Sequence, residues 1–346
     1  MNGKPKGRVG IRDVARAAGV SPTTVSHSLS GKGRLPESTR KRIAKVAAEL
    51  GYRPNSSARN LVSGKTGLLG IAISESPKSP FGLADFDYFI QLLTAATTAA
   101  VEHGMALVVA GTDRAGELFD GVDVDGMIVV DPVEDDPLVK ACRTHGTPVV
   151  TTGRVPGAEP DGPDSHWVDN DHVGATNSIL DHLDEHGGGK VALITSLPVT
   201  SYTRDAILGY RSWCERRGQE SSVSIVEGPV DESAGSDMAG RLLDGPEPPD
   251  AIYATLDRLA LGTLSAARAR GLEIPQYLIV AGCTDSKASQ WADPPLTALA
   301  LNPEEIGRRA VRMLISVVKG GEAGARHEIV PTAIVPREST ARIVSG

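Results

Sequence analysis

The chain has 346 residues, of which 40% are hydrophobic, and a net charge of −7 at pH 7. This length allows two or three domains with real cores, and no run of about 18 apolar residues exists that would form a membrane-spanning helix. The three cysteines Cys142, Cys214 and Cys283 are too far apart to indicate a disulfide framework or a structural zinc site. We therefore expect a globular protein of the reducing cytoplasm, with no signal peptide.

The charge is divided unevenly along the chain. Residues 1–65 contain 14 Lys and Arg against 3 Asp and Glu, a net charge of +11. The remaining residues contain 22 Lys and Arg against 40 Asp and Glu, a net charge of −18. A basic segment on an acidic body points to a polyanionic partner such as nucleic acid, so we expect the N-terminal segment to bind it.

Two short helices joined by a glycine turn are predicted over residues 11–29. Apolar residues recur at helical spacing in the first helix, and Gly19 follows the last of them as a C-terminal stop. Ser21 is suited to cap the second helix, and Pro22 suits its first position, where no intrahelical donor is lost. Val25 points inward in this second helix, which leaves small hydroxyls and one histidine on the outer surface.

A third helix is predicted from about residue 36 to residue 50, with a buried apolar face and basic residues around the rest. Two helices joined by a glycine turn are how a helix-turn-helix unit presents its second helix to the major groove of DNA. Thr23 and His27 are placed to reach base edges. Phosphate contacts are expected from the hydroxyls of Ser21, Thr24 and Ser26. The alternative is a three-helix adaptor whose charged face is only solvated.

The segment after the third helix, residues 52–67, has the composition of a linker. Asn55 is placed to cap a short helix that ends at Gly64 and leaves Leu61 exposed. Minor-groove proteins use apolar side chains of this kind to open a base step and bend the duplex. The alternative is that Leu61 packs against the body.

The stretch IRDVARAAGVSPTTVSHSLSGKGRLPESTRKRIAKVAAELGYRPNSSARNL resembles the DNA-binding head of the lactose-repressor (LacI/GalR) family of bacterial transcription regulators. The resemblance implies a homodimer on a pseudo-palindromic operator, a reading helix in the major groove and a hinge helix whose leucine enters the minor groove. The DNA contacts it implies are Ser21, Pro22, Thr23, Thr24, Ser26, His27, Asn55 and Leu61. That family usually has arginine where this chain has His27. Since histidine lacks the bidentate guanidinium fork, we expect weaker guanine recognition there.

From residue 68 onward, apolar strand-like runs alternate with helical patterns. Strands are predicted at LLGIAIS, MALVVAG, DGMIVVD, TPVVTTG, VALITS, AIYAT and LIVAG, and helices through Phe89, from about His172, around Tyr210 and from Leu259 to Arg270. Continuous apolar strands separated by helices predict parallel sheets covered on both faces. There are more such units than one sheet needs, so the fold class we expect is an all-α helix-turn-helix head plus a doubly wound α/β body of two subdomains, with a ligand cleft at the strand ends.

The resemblance also implies a body like a periplasmic sugar-binding protein, whose chain crosses between subdomains more than once. It implies that LTALALNPEEIGRRAVRMLISVV returns to the first subdomain and EIVPTAIVPREST to the second. The predicted domains are a helix-turn-helix domain over residues 1–54, a hinge helix over 55–66, a first body subdomain over 67–168 plus about 298–328, and a second over 169–297 plus about 329–346.

Within the cleft, this chain departs from the pattern of the family it resembles. Leu256 stands where the family usually has Asn, Thr284 where it has Asp, and Ala206 where it has the effector-binding Arg. Each lost group would bind a sugar hydroxyl, so we hypothesise an effector with fewer hydroxyls, or none. The candidates for contact with an effector are Phe81, Asp113, Arg154, Asp169, Arg204, Asp257 and Trp291, each of which has a structural role as its alternative.

The stretch HLDEH, residues 182–186, matches the H-x-x-E-H pattern of a zinc peptidase. A catalytic zinc needs a third ligand and an open position, which the sequence does not supply, so we expect no metal, no cofactor and no enzyme. The function predicted is a cytoplasmic, homodimeric transcription regulator, most simply a repressor, whose partners are operator DNA and a small effector. Two other readings stay open: a periplasmic-type solute-binding protein, and a metallohydrolase based on HLDEH.

Overall fold

The computed structural model describes residues 9–29, 34–52, 65–74, 86–110, 122–158, 162, 165–197, 199–320 and 326–342. The chain divides into two compact units, Met1–Thr66 and Gly67–Gly346. The first is the basic head and the second is the acidic body, so the charge boundary in the sequence coincides with a structural one.

The head contains three helices: α1, Ile11–Ala18; α2, Pro22–Leu29; and α3, Glu37–Glu49. Gly19 has a φ of 62°, and its backbone N–H donates to the carbonyl groups of Ala15 and Arg16, which ends α1. A small core holds the three helices together. Its buried members are Val14, Ala15, Ala18, Val25, Ile43 and Ala47. The predicted helix-turn-helix arrangement is therefore present, with Val25 buried as expected.

The body contains two six-stranded sheets. The first has the order β11-β5-β4-β3-β1-β2, and all of its strands are parallel. Its strands are β1, Leu68–Ile73; β2, Ala106–Val109; β3, Gly126–Val130; β4, Val149–Thr152; β5, Trp167–Asn170; and β11, His327–Val330. Three of its central strands are almost wholly buried, as the continuous apolar runs predicted.

The second sheet has the order β12-β10-β9-β8-β6-β7, with only β12 antiparallel to its neighbour. Its strands are β6, Val191–Ser196; β7, Val223–Val226; β8, Ala251–Ala254; β9, Ile279–Cys283; β10, Thr297–Ala300; and β12, Ala333–Val335. Two parallel sheets in one body confirm the expected α/β fold of two subdomains.

The described helices of the body cover the faces of the two sheets. They are α4, Phe86–Glu102; α5, Pro137–His145; α6, His172–Glu185; α7, Ser201–Arg217; α8, Glu232–Leu243; α9, Asp257–Ala269; α10, Lys287–Gln290; and α11, Pro303–Val318. Helices α4 and α11 pack on the first sheet, and Gly307 allows their close approach, because a Cβ there would lie 2.4 Å from the Leu92 carbonyl oxygen.

The chain crosses between the sheets three times, after β5, after β10 and after β11. The crossing points differ from those predicted. Strand β5, which reaches Asn170, and the whole of β11 lie in the first sheet, whereas β10 lies in the second. The predicted boundaries at 168 and about 298 and 328 are thus a few residues off. Strands of three or four residues carry too little pattern to indicate which sheet they join.

Candidate nucleic-acid interface and ligand cleft

Helix α2 of the head presents the polar surface that the sequence predicted. Thr23, Ser26 and His27 are exposed on it, while Val25 on the opposite side is buried. Pro22 is also exposed and occupies the first position of the helix. The helix is therefore held from one side only, and its outer side chains are accessible to a ligand as large as a DNA groove.

Two of the predicted phosphate-binding hydroxyls also shape the start of α2. The Thr24 backbone N–H donates to Ser21 Oγ at 3.1 Å, and Ser21 Oγ lies 2.8 Å from Thr24 Oγ1. This is an N-cap, and it satisfies one of the backbone donors that a helix start leaves free. The N-terminus of α2, which favours a phosphate through its remaining N–H groups, is thus fixed in place.

The linker predictions lie outside the residues that the structure describes. Asn55 and Leu61 both fall in the range 53–64. The hinge helix, and the insertion of Leu61 into the minor groove, stay predictions.

In the body, Arg154 connects the two subdomains. It follows β4 of the first sheet, and its side chain forms ion pairs with Asp169 of β5 at 3.1 Å and with Asp205 of α7. Its backbone N–H also donates to Ser201 Oγ at 3.1 Å. Because α7 packs on the second sheet, these contacts join the subdomains at one side of the cleft.

Asp169, another predicted contact residue, is buried at the centre of this network. Its Oδ1 lies 2.9 Å from His172 Nε2, and its Oδ2 accepts from Arg154 Nε. Burial by itself would raise the pKa of Asp169, but His172 and Arg154 outweigh it and lower that pKa. Asp169 is therefore held as a carboxylate and fixes the orientation of the His172 ring.

A cavity lies beside this network, where strands of the first sheet end and the second subdomain faces them. Its polar and charged lining residues are Asp131, Thr152, Asp169, His172 and Thr284, and the rest of its wall is Tyr88, Gly153, Tyr202, Leu256, Leu301 and Ile306. A cleft at the carboxyl ends of parallel strands is where α/β proteins bind ligands. The position matches the ligand cleft that the alternation of strands and helices predicted.

Asp131 was not among the predicted site residues, although it directly follows the buried strand β3. Its φ of 50° turns the chain at the strand end, and Gly153, with a φ of 96°, lies against its carboxylate. Burial, and then the charge of Asp169, raise the pKa of Asp131 to about 7. The rule that ligands bind beyond the carboxyl ends of strands would have identified this residue in DGMIVVD.

Two more polar groups at the cavity were missed by the sequence reasoning. Thr152 and His172 are only 2% and 5% exposed, and neither Thr152 Oγ1 nor His172 Nδ1 has a hydrogen-bond partner within the described part of the chain. Buried polar atoms in native proteins are nearly always paired, so two unpaired atoms around one cavity mark a place where a ligand or water completes the bonding.

The remaining predicted contact residues are not gathered at the cavity. Arg204 lies at the cleft rim and forms an ion pair with Glu134 at 2.6 Å, while Asp257 is buried and accepts from the Arg258 backbone N–H at 2.8 Å. Trp291 is 80% exposed at the end of α10 and does not line the cavity. Phe81 and Asp113 lie outside the described residues.

The three departures from the family pattern have structural consequences. Leu256 and Thr284 both line the cavity, which replaces two hydrogen-bonding side chains by one apolar and one smaller polar group. Ala206 is fully buried and leaves no cation at its position in α7. The carboxylate of Asp285, which follows Thr284, forms an ion pair with Arg337 at 2.6 Å. The cavity is thus less polar than one that carried the Asn and Asp usual in the family at these two positions.

The HLDEH stretch is not arranged as a metal centre. His182 Nε2 lies 3.0 Å from Thr340 Oγ1, and His186 Nδ1 lies 2.7 Å from the His182 carbonyl oxygen. Both imidazoles are thereby engaged at the end of α6, and the described residues contain no group of three His, Cys, Asp or Glu that could hold a metal ion. None of the described helices is long and apolar enough to cross a membrane.

Comparisons with known protein families match two parts of the chain. Residues 10–55 match the bacterial regulatory proteins of the lacI family, and residues 180–340 match a periplasmic binding protein-like domain. The first range contains the three head helices, and the second contains all six strands of the second sheet and the helices from α7 to α11.

Curated relatives match along almost the whole length. The HTH-type transcriptional regulator CelR of Thermobifida fusca is 28% identical, over 94% of this chain and 96% of that protein. The HTH-type transcriptional repressor CytR of Escherichia coli K12 is 27% identical, over 95% of this chain and 96% of that protein.

Solved structures share the fold. The complex of the regulator CelR with cellobiose is 26% identical and has a TM-score of 0.70, over 96% of this chain and 100% of that one. The lac repressor dimer bound to operator and the anti-inducer ONPF is 23% identical with a TM-score of 0.77, over 96% of this chain and 99% of that one. At that identity, the second match is evidence for the fold alone.

Proposed function

We propose that the chain is a regulator of the LacI family, whose model its residues 10–55 match, and that it represses transcription by binding a pseudo-palindromic operator as a homodimer. The observation that carries this proposal is the exposed row of Thr23, Ser26 and His27 on α2, a helix held from its opposite side by the head core. The protein is proposed to act in the cytoplasm, where the operator is, as a regulator rather than an enzyme.

The head recognises DNA through two kinds of contact. Thr23 and His27 reach base edges in the major groove, and these contacts specify the sequence. Ser21, Thr24 and Ser26, with the cations of α1 and α3, bind phosphates and position the helix without reading the sequence. In a homodimer, two such helices lie about one helical turn of DNA apart, which is why the operator is expected to be a pseudo-palindrome.

The body regulates the head by linkage. A ligand that binds the cavity more tightly in one relative arrangement of the subdomains shifts the equilibrium towards it. If the two arrangements hold the paired heads at different spacings, the ligand changes the affinity for the operator, and the operator changes the affinity for the ligand by the same factor. Arg154 and the N-terminal residues of α7 lie at the contact that such a change would rearrange.

The experiment that tests the function selects fragments of the genomic DNA of the source bacterium that bind the purified full-length protein. We expect enrichment of a few sequences with two-fold symmetry, and loss of that enrichment in the variant with Thr23 and His27 changed to alanine. Repeating the selection with a mixture of metabolites reports any effector. Equal enrichment by the parent protein and the double variant would contradict the proposal.

A further inference from the structure

Of the charged side chains around the cavity, Asp131 is the one for which the described residues supply no ion pair. Arg154 is engaged by Asp169 and Asp205, and Asp169 also lies against His172. No hydrogen bond or ion pair to the Asp131 carboxylate is formed by the described residues. This carboxylate lines the cavity and sits against Gly153, whose missing side chain leaves room beside it.

The unpaired polar atoms next to Asp131 favour a ligand that donates hydrogen bonds. His172 Nε2 faces the Asp169 carboxylate and donates to it, and Nδ1 is the ring atom that has no hydrogen-bond partner among the described residues. Thr152 Oγ1 can accept or donate. The Asp131 carboxylate and the Thr152 hydroxyl therefore give the cavity wall two groups that can accept hydrogen bonds from a ligand.

The rest of the wall is apolar or aromatic. Leu256, Leu301 and Ile306 contribute aliphatic surface, and the rings of Tyr88 and Tyr202 contribute aromatic surface. The Tyr202 hydroxyl already donates to the Thr255 carbonyl group. Aromatic rings attract cations through their π faces, in addition to offering apolar contact. The wall therefore suits a compact hydrocarbon body and a cationic head.

From this combination we propose that the effector of the cleft is a small organic ammonium ion, a protonated primary or secondary amine with a short apolar body. This inference rests on the proposed regulatory function, and it names the class of ligand that the cleft binds. The ammonium group is placed between the Asp131 carboxylate and Thr152 Oγ1, for which the described residues supply no partner. A hexose does not fit this set as well, because its many hydroxyls would face leucine and isoleucine side chains that offer no hydrogen bonds.

The cavity has a volume of about 40 Å³, so the test uses three small probes that share a two-carbon body and differ in the head group: ethylamine, ethanol and acetate, with glucose and cellobiose as sugar probes. Binding to the full-length protein is measured by isothermal titration calorimetry at pH 8. We expect the amine to bind and the other four probes to bind at least tenfold more weakly. A second small amine, methylamine, is expected to behave as ethylamine does.

Two variants and one control locate the site. Asp131→Asn keeps the shape and removes the charge, and we expect it to weaken amine binding at least about tenfold, because a buried charge pair loses one partner. Thr152→Val removes a hydroxyl at constant volume and is expected to weaken it by a smaller factor. Asp293→Asn, at a side chain that is 95% exposed, is the matched control and should leave amine binding unchanged.

Three results would overturn this inference: equal binding of the amine and the alcohol, stronger binding of a sugar than of either amine, or amine binding that survives in Asp131→Asn. Failure of both amines to bind would overturn it as well. None of these results touches operator recognition, which the DNA selection measures separately, so failure of the ligand class is distinguishable from failure of the proposed function.

Discussion

His27 is the exposed α2 side chain whose chemistry departs from the arginine usual in the family. Its ring offers one donor and one acceptor, or two donors when protonated, in place of the rigid fork that pairs with both acceptors of guanine. The operator preference of this chain is therefore expected to differ at the base pair that His27 faces.

For His27→Ala, we expect a loss of about 1–3 kcal/mol in operator binding, since one base contact is removed. Binding to unrelated DNA of the same length should change little, because phosphate contacts are retained. Fluorescence anisotropy on the selected operator and on a scrambled duplex measures both. His27→Arg is the companion variant, and it should shift the selected sequences towards guanine at one position per half-site. Equal losses on both duplexes would show that His27 does not read bases.

Asp131 makes the stability of the body depend on pH. Its pKa is raised from 3.8 to about 7 in the folded chain, by burial first and by Asp169 second, while His172 acts in the opposite direction. Between these two values the folded chain keeps a proton that the unfolded chain loses. The contribution of this residue to the free energy of unfolding is thus complete below pH 4, falls as the pH rises, and is gone above about pH 7.

Asp131→Asn removes this dependence, since asparagine resembles the protonated acid at every pH. The difference in the free energy of unfolding, variant minus parent, should increase from pH 4 to pH 7, by at most about 4 kcal/mol. Urea unfolding followed by circular dichroism at several pH values provides the measurement. The Asp293→Asn control should show no such trend, and a flat difference for Asp131→Asn would refute the assignment.

Among the elements, α7 has a double role. Its hydrophobic side belongs to the core of the second subdomain, through Tyr210 and Trp213, while its N-terminal turns contact the first subdomain through Ser201, Arg204 and Asp205. The isolated bridge between Val133 and Thr200 adds a backbone contact at the same place. The start of this helix is therefore the contact that the proposed ligand-dependent change in subdomain arrangement would have to rearrange.

The two arginines at this contact should differ in their effect on stability. Arg154→Leu leaves Asp169 buried without its guanidinium partner, which is expected to cost about 3 kcal/mol. Arg204→Leu breaks an ion pair whose two side chains are 41% and 56% exposed, so less than about 1 kcal/mol is expected. Urea unfolding of both variants measures the difference. Losses of similar size would mean that Arg154 does not stabilise a buried charge.

At the scale of the whole molecule, opposite charges are carried by the two compact units. The head region has a net charge of +11 and the remainder −18, so phosphate attraction is confined to the head and the body repels DNA. This division restricts how the molecule approaches a duplex.

DNA affinity should therefore fall steeply with salt, by about 0.9 in log K per unit of log salt for each phosphate contact. The dependence should be similar on operator and on scrambled DNA, and ligand binding in the apolar cavity should depend on salt far less. Anisotropy measures DNA binding and calorimetry measures ligand binding, both between about 50 and 300 mM KCl. This range includes the concentration of about 0.1 M at which the Debye length is about 10 Å. A salt-independent operator affinity would contradict DNA binding by the basic head.

The elements with strong sequence signals were predicted closely. Helix α3 was expected over residues 36–50 and covers Glu37–Glu49, and the seven apolar strand runs all contain strands. Five strands were not predicted: β5, β7, β10, β11 and β12. Two of them have mixed patterns. Strand β5 contains a buried Asp and Asn, and β7 begins as a half-buried edge strand, so neither shows a continuous apolar run or a regular alternation.

The cavity was harder to predict than the elements. Arg154 and Asp169, two of the predicted contact residues, lie where the two subdomains meet. Asp131, Thr152 and His172 come from three separate segments, and only the packing of the two subdomains brings them together. Trp291 was also a predicted contact residue, but it is 80% exposed, and nothing local in the sequence showed that it lies on the surface.

The sequence by itself determined what is local: the head helices with their caps and turn, the alternation of buried strands and helices, and the separation of basic from acidic charge. These follow from periodicity, capping chemistry and composition, which act over a few residues. Only the tertiary structure decided which sheet each short strand joins, which charges neutralise one another around Arg154, and which carboxylate is left without a partner. These depend on contacts between distant segments, and burial and pairing, rather than residue type, set the charge of such groups.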